Sequence, residues 1–379
     1  MKYKIKIAFL LLLCLLRYVA FGTATKKQKT LGKVIIFQGA KLGDMVCTTP
    51  IFRAVKAKYP ECKIIVIGNS INKHLLEYNA DVDGYIVHRD ESFFSTIKKI
   101  RREGVDFGCI TGPGFLNLAI LYLAGVPLIA APEVKDGYSP LETRSYNILR
   151  KLVEVQPHHM GQYAPREYLR LLEIIDIYTE NTKKHLAFSG LAAHHAEEVL
   201  KPFAGKFIVG ISPSAGNKIK EWPATRFAEV ANYVAEKYGA IIVIIGSKDD
   251  RGCAEDMKRR LSKKTVFLDA VGMLSIDELK AVIARLNVFI SVDTGPIYIA
   301  EAFGVPTIDI VGPMDEKEQP PIGKFHKVVV APRKTAQLHI MSARLYDKKE
   351  ARRQVESITS VMVCGEIDAL IQELKIVVG

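Results

Sequence analysis

Cysteine is scarce and unpaired in this sequence. Cys14, Cys47, Cys62, Cys109, Cys253 and Cys364 are its only six, and none has the close spacing of a disulfide framework or a zinc site. A disulfide-stapled secreted domain is therefore excluded, and a reducing compartment fits best. Two adjacent histidine pairs, His158-His159 and His194-His195, point their side chains apart on a helix or strand and lack metal-ligating partners. They read as surface or loop histidines, and no metal site is expected. Acidic residues are outnumbered, 41 against 53 Lys and Arg, for a net charge of +12, which points to an anionic partner: nucleic acid, a membrane surface or a phosphorylated substrate. There is no long basic run, zinc-finger spacing or aromatic RNA-binding motif, so nucleic acid ranks last.

An uninterrupted apolar run of about 20 residues, the length a spanning helix needs, is also missing. Ile7 to Leu16 is apolar, preceded by Lys2, Lys4 and Lys6, broken by Arg17, resumed by Tyr18 to Phe21, and followed by Lys26, Lys27 and Lys29. A signal peptide has this shape, yet Gly22-Thr23-Ala24 is a poor cleavage site. An interfacial anchor tolerates Arg17, whose side chain can snorkel, and its lysine flanks suit anionic headgroups. Residues 1–30 are read as a membrane-associating segment, with an uncleaved signal-anchor as the runner-up.

What the sequence has in quantity is alternation. Its 379 residues are too many for one ordinary core and imply roughly two domains. Short β-type runs at Lys63 to Gly68, Gly84 to Val87, Val105 to Ile110 and Val126 to Ala130 are separated by stretches that suit helices. The span from Glu133 to Pro157 is richer in Pro, Gly and charge, and a helical stripe follows over Arg166 to Ile177. A second series has strands at Phe207 to Ile211, Ala240 to Ile245, Thr265 to Leu268, Val288 to Val292 and Thr307 to Val311. The expectation is an α/β protein of two doubly wound, Rossmann-like domains, 31–185 and 186–345, with a ligand cleft between them at the carboxyl ends of the strands.

The stretch from Lys33 to Pro60, KVIIFQGAKLGDMVCTTPIFRAVKAKYP, reads as strand, glycine turn and helix. Gly43 permits close approach of a ligand, and Asp44 sits where the turn meets the helix, able to act in a cleft or only to cap. On this stretch alone the cap is the better reading. Two turns of the second half carry related chemistry. SPSAGNKIKEWP, Ser212 to Pro223, is long and polar, and Lys220 can place a point charge on a diphosphate. Asp293-Thr294-Gly295-Pro296 leads into a helix whose N-terminus offers N–H groups and a positive dipole end, though Asp293 as a mere cap is the plain alternative.

FQGAKLGDMVCTTPIFRAVKAKYP, SPSAGNKIKEWPATRFAEVA and SVDTGPIYIAEAFGVPTIDIVGP, in this order, resemble the three signature blocks of glycosyltransferase family nine, the ADP-heptose:lipopolysaccharide heptosyltransferases. The resemblance implies a GT-B fold, with a last helical segment, 346–379, returning to the first domain. It implies inverting sugar transfer with no metal and no cofactor, from a nucleotide-sugar donor on the second domain to an anionic glycolipid or glycan acceptor of the cell envelope on the first. The cytoplasmic face of the inner membrane would be the setting. Carried over by position, the catalytic aspartate falls on Asp44, the phosphate-binding lysine on Lys220, and the Asp-Thr-Gly block on Asp293, Thr294 and Gly295. Gly43 and Lys41 are turn or acceptor-side candidates. The family usually has a histidine three residues after that glycine, whereas this sequence has Tyr298, which can donate to a phosphate but carries no positive charge. The turn also reads Gly39-Ala40-Lys41 where hydroxyl residues are usual, so the sugar is heptose or a relative.

Chemically, Asp44 would take the acceptor proton while Lys220, Thr294 and the helix N-terminus stabilise the departing nucleoside diphosphate. Asp81-Val82-Asp83 matches the DXD pattern of metal-dependent transferases but precedes a strand of the first domain, and is read as a chance match. A nucleotide-sugar epimerase of the same architecture, or a catalytically silent nucleotide-sugar-binding subunit, are the alternatives.

Overall fold

The apolar runs become parallel strands covered on both faces. A computed structural model describes residues 2–27, 30–88, 92–342 and 345–375; Lys29 of the basic flank and residues 376–379 of the C-terminal segment lie outside these. The chain divides into two units, one running to Lys184 with a short segment beginning at Ile340, the other taking His185 to His339 and the chain from Leu345.

The first unit comprises α1 (Lys2–Phe21), β1 (Lys33–Phe37), α2 (Leu42–Lys58), β2 (Lys63–Gly68), α3 (Ser70–Leu76), β3 (Gly84–Val87), α4 (Phe93–Glu103), β4 (Phe107–Ile110), α5 (Phe115–Ala124), β5 (Leu128–Lys135), α6 (Arg144–Arg150), β6 (Glu154–His159) and α7 (Ala164–Arg170). Its strands are parallel in the order β3-β2-β1-β4-β5-β6. Val34, Ile35, Ile36 and Phe37 of β1 are all buried, as a central parallel strand requires.

Three readings change here. The N-terminal segment is not an appendage: α1 packs on α5 and α6, Leu10, Cys14 and Ala24 join the core, and Ala24 and Thr25 bridge to Val153 and Leu128. Arg17 turns inward over the Tyr122 ring, 4.6 Å from its centroid, instead of snorkelling outward. The Pro- and charge-rich span beginning at Glu133 holds the end of β5, α6 and part of β6, because an edge strand tolerates Pro157 and polar side chains. Within it His158 is 3 % exposed, and burial pushes its imidazole down to about 4, assisted by His159 and Arg170. The stripe over Arg166 to Ile177 is a shorter helix, α7, followed by a 3₁₀ turn at Glu173–Ile175.

The second unit comprises α8 (Gly190–Leu200), β7 (Ile208–Ser212), α9 (Ala224–Tyr238), β8 (Ile241–Ile244), α10 (Arg251–Lys258), β9 (Phe267–Asp269), α11 (Ile276–Ile283), β10 (Val288–Val292), α12 (Gly295–Ala302), β11 (Thr307–Val311), β12 (His326–Val330), α13 (Lys348–Ser357) and α14 (Ser360–Leu374). Its parallel sheet runs β12-β11-β10-β7-β8-β9. The C-terminal helices belong to this unit, not to the first. Val363, Ile367, Leu370 and Ile371 give α14 an apolar stripe that joins the core of Ile308, Ile310 and Val329, and the Trp222 indole N–H donates to the Ile358 carbonyl over 2.9 Å.

Each sheet has the Rossmann order, in which the chain reverses direction across the sheet between two central strands and leaves a crevice at their carboxyl ends. In the first unit that switch lies between β1 and β4, in the second between β7 and β10.

Candidate active site

At the switch of the second unit, Ser212 ends β7 directly opposite Ser291 of β10, so the turns leaving both strands emerge side by side. The turn after β7 is fixed by Trp222, 1 % exposed, which stacks edge-on against Phe227 at 4.9 Å. With Trp222 anchored, the 3₁₀ turn Lys218–Lys220 delivers Lys220 to the turn after β10. There the Lys220 ammonium donates to the Asp293 carboxylate at 2.9 Å and also to the Asp293 carbonyl. Two of its three N–H bonds are thereby engaged. Asp293 is largely buried, and its other carboxylate oxygen accepts the hydroxyl proton of buried Tyr298, one turn into α12.

The structure thus joins Lys220, Asp293 and Tyr298 in one cluster. Asp293 does not cap α12; Thr294 holds the cap position, and its side chain makes no capping bond. Thr294 and Gly295 stand half-exposed at the start of that helix, where backbone N–H groups and the dipole favour an anion. Tyr298 gives its hydroxyl to Asp293, where the sequence suggested a phosphate.

One member of the cluster had no sequence signal. Asp309, in the middle of β11, is 1 % exposed. Burial raises its pKa well above the usual carboxylate range, and the negative charges of Asp293 and Glu301 reinforce this against the opposing pull of Lys220. It hides within the apolar run of a central strand, where an acid reads as noise.

At the switch of the first unit, Gly39-Ala40-Lys41 leaves β1 and enters α2. Lys41 is the N-cap and Gly43 and Asp44 occupy the first turn. The Lys41 N–H donates to the Asp44 carboxylate at 3.1 Å, so Asp44 serves the helix end from inside the helix and not as the cap residue. Gln38 holds the turn, receiving the Ala40 N–H at 3.1 Å and donating to the Thr48 hydroxyl at 3.0 Å. Asn69 and Asn72 both donate to the Ala40 carbonyl. Gly68 is required beside it, because a Cβ there would strike the Tyr85 hydroxyl and the Gln38 carbonyl. Asp44 is half-exposed on this fixed platform. Asp81 and Asp83 of the DXD-like triplet pair instead with Arg53 and Lys56, Asp83 also accepting the Ile64 N–H. Among the described residues no group of three or more His, Cys, Asp or Glu is arranged to hold a metal ion.

Two Rossmann units, the second carrying a lysine beside a helix N-terminus at its switch point, define a GT-B protein. A solved glycosyltransferase of family 9 from Veillonella parvula shares this fold with a TM-score of 0.75 and 18 % identity, over 92 % of this chain and 100 % of that one. The ADP-heptose lipopolysaccharide heptosyltransferase II of E. coli does so at 0.72 and 17 %, over 91 % and 100 %. Lipopolysaccharide heptosyltransferase 3 of E. coli K12 is 24 % identical over 287 residues, covering 72 % of this chain and 80 % of that protein. The family model for glycosyltransferase family 9 (heptosyltransferase) matches residues 94–349, and the chain belongs to that family. The matched span contains the Lys220–Asp293–Tyr298 cluster and begins after Asp44.

Proposed function

We propose that this chain transfers heptose, or a closely related sugar, with inversion from its ADP-linked form to an acceptor in the core of lipopolysaccharide or lipooligosaccharide. The observation that carries the reading is the Lys220–Asp293 pair beside the N-terminus of α12 in a member of family 9. The relatives' names supply the donor and acceptor classes. Lys220, Thr294, Gly295 and the helix end take the diphosphate, and Asp44 takes the proton of the attacking acceptor hydroxyl as the bond from the anomeric carbon to ADP breaks. Fixed positive groups stabilise the leaving ADP, so no metal is called for. Incubation with ADP-heptose and a core acceptor, alongside UDP- and GDP-sugars, tests this. Heptosylated product with free ADP is expected. An epimerised nucleotide sugar, or binding without turnover, would replace transfer by one of the two alternatives.

The reaction is placed at the cytoplasmic face of the inner membrane, with α1 lying in the interface. The support is the outward face of that helix, where Ile5, Phe9, Leu12, Leu16 and Val19 recur at helical spacing and are 51 % to 83 % exposed. Lys4 and Lys6 flank Ile5 at the head of this stripe, and Lys26 and Lys27 follow it, all exposed, so each end of the helix presents basic side chains to anionic headgroups. Among the described residues no helix is long and apolar enough to cross a membrane.

A further inference from the structure

Asp309 has no part in the chemistry above, yet it occupies one of the least accessible positions of the second unit. Its strand neighbours Ile308 and Ile310 enter the core shared with α14, so the Asp309 side chain lies on the opposite face of the sheet, the face it shares with its cross-strand partner Ser291. Its Oδ1 is buried and has no hydrogen-bond partner among the described residues. An apolar residue of similar size would satisfy that position without leaving a buried oxygen unpaired.

The charged and titratable groups around it come from every neighbouring element. Asp293 lies in the turn after β10, Lys220 in the turn after β7, and Tyr298 and Glu301 on α12, with Asp293, Lys220 and Glu301 acting on its charge. From β12, His326 pairs with the Thr307 hydroxyl at 2.9 Å, two residues earlier on the same face of β11. Asp293 and Lys220 compensate each other. A second carboxylate under them would leave the cluster one negative charge in excess at the place where a diphosphate must dock, and close like charges in a dry site oppose ionisation strongly.

We propose that Asp309 is a positioning residue of the donor site: buried on the face of β11 that it shares with Ser291, with an oxygen left without a hydrogen-bond partner, it leaves Lys220 balanced by a single carboxylate and so sets the affinity for a nucleoside diphosphate. This rests on the reading of Lys220 and Asp293 as the donor side. It makes donor binding dependent on one proton. Where Asp309 is protonated, affinity is full; as pH rises through its titration the added charge repels the diphosphate, and affinity falls by up to about tenfold per pH unit. Burial and its acidic neighbours move that fall well above the usual carboxylate range.

The test is ADP binding by calorimetry as a function of pH for the full chain and for Asp309→Asn, a neutral isostere. Below the Asp309 titration the two should agree within about twofold, since one hydrogen-bonding group replaces another of the same charge. As pH rises through the Asp309 titration the wild-type affinity should fall while Asp309→Asn holds. Infrared difference spectra below that titration and above the ordinary carboxylate range should show the carbonyl stretch of a protonated carboxylic acid in the wild type that is missing from Asp309→Asn; Asp309→Leu serves the same comparison should the Asn variant not fold. Identical pH profiles, or no such band, would overturn the assignment. So would a tenfold or greater loss of affinity below that titration in a folded Asp309→Asn. Failure of the wild type to bind ADP at any pH would instead overturn the donor-site reading, and this inference with it.

Discussion

Lys220 and Asp293 lie 73 residues apart in the chain and meet at 2.9 Å across the β7/β10 switch point. The lysine side chain is 17 % and the aspartate side chain 9 % exposed, so the pair is shielded from screening by salt. Asp293 therefore acts as the holder of the lysine and Tyr298 as the holder of Asp293. A charge held in place needs little reorganisation when a diphosphate arrives.

Lys220→Ala should weaken ADP binding by about 1.5–3 kcal/mol, the worth of a hydrogen bond to a charged group. It should also lower stability, because Asp293 is left without its counter-charge. Adding Asp293→Asn should recover much of that stability without restoring affinity. Calorimetry and thermal melts on both variants check this, and unchanged ADP affinity in Lys220→Ala would remove the lysine from the site.

Tyr298→Phe deletes the hydroxyl that Asp293 accepts. Roughly 1–3 kcal/mol of stability should go with it, since a buried acceptor loses a donor. Tyr298→His replaces a neutral donor with one able to carry charge and should hold or tighten ADP binding. A clear loss of affinity in the His variant would show that the larger ring is needed for packing, not for its polarity.

The position of α1 calls for two variants. Removal of residues 1–30 takes Leu10, Cys14 and Ala24 out of the core, and the shortened protein should melt lower or fail to fold. Replacing Ile5, Phe9 and Leu12 with Ser changes only the outward face, so melting should barely move. Sedimentation with anionic vesicles should then fall sharply, because apolar burial supplies most of interfacial binding. Equal vesicle binding by the Ser variant would refute the docking face, and dimers that dissociate in that variant would assign the face to a second copy.

His158 gives the first unit a pH dependence of known sign. The unfolded imidazole protonates near its ordinary 6.5, the folded one only near 4, so between these values the unfolded state binds more protons. The contribution is full above pH 6.5 and declines as pH falls toward 4, by about 3 kcal/mol at most. Denaturant titrations at pH 7 and pH 4.5 should show less acid loss in His158→Phe than in the wild type.

Much of this was legible in the sequence because the features depend on local pattern. Strands β1, β2, β7, β10 and β11 are apolar runs bounded by turns, and Lys220, Asp293 and Tyr298 stand in recognisable blocks. What escaped depends on neighbours distant in the chain. β6 carries Glu154, Gln156, Pro157 and two histidines, and reads as a strand only once it is known to lie at a sheet edge. The inward turn of Arg17 needed Tyr122, and the burial of Asp309 needed α12 above β11. The C-terminal helices follow their apolar stripe onto the second sheet, a partner that a stripe by itself does not name.

Asp44 is where capping and catalysis can be separated. Its carboxylate accepts the Lys41 N–H at 3.1 Å, and an Asn side-chain carbonyl can accept the same bond. Asp44→Asn should therefore cost at most about 1 kcal/mol of stability. The amide cannot take the acceptor proton, and loss of a general base typically costs about 10²–10⁴-fold in rate. Sugar transfer should collapse while ADP affinity, proposed above to rest on the Lys220 cluster of the other unit, stays near wild type. Asp44→Glu separates the roles further: it keeps a base on a longer arm, so some transfer should survive. If Asp44 only secures the helix end, Asp44→Asn will turn over normally, and one purified variant assayed for product, ADP affinity and melting temperature distinguishes these outcomes.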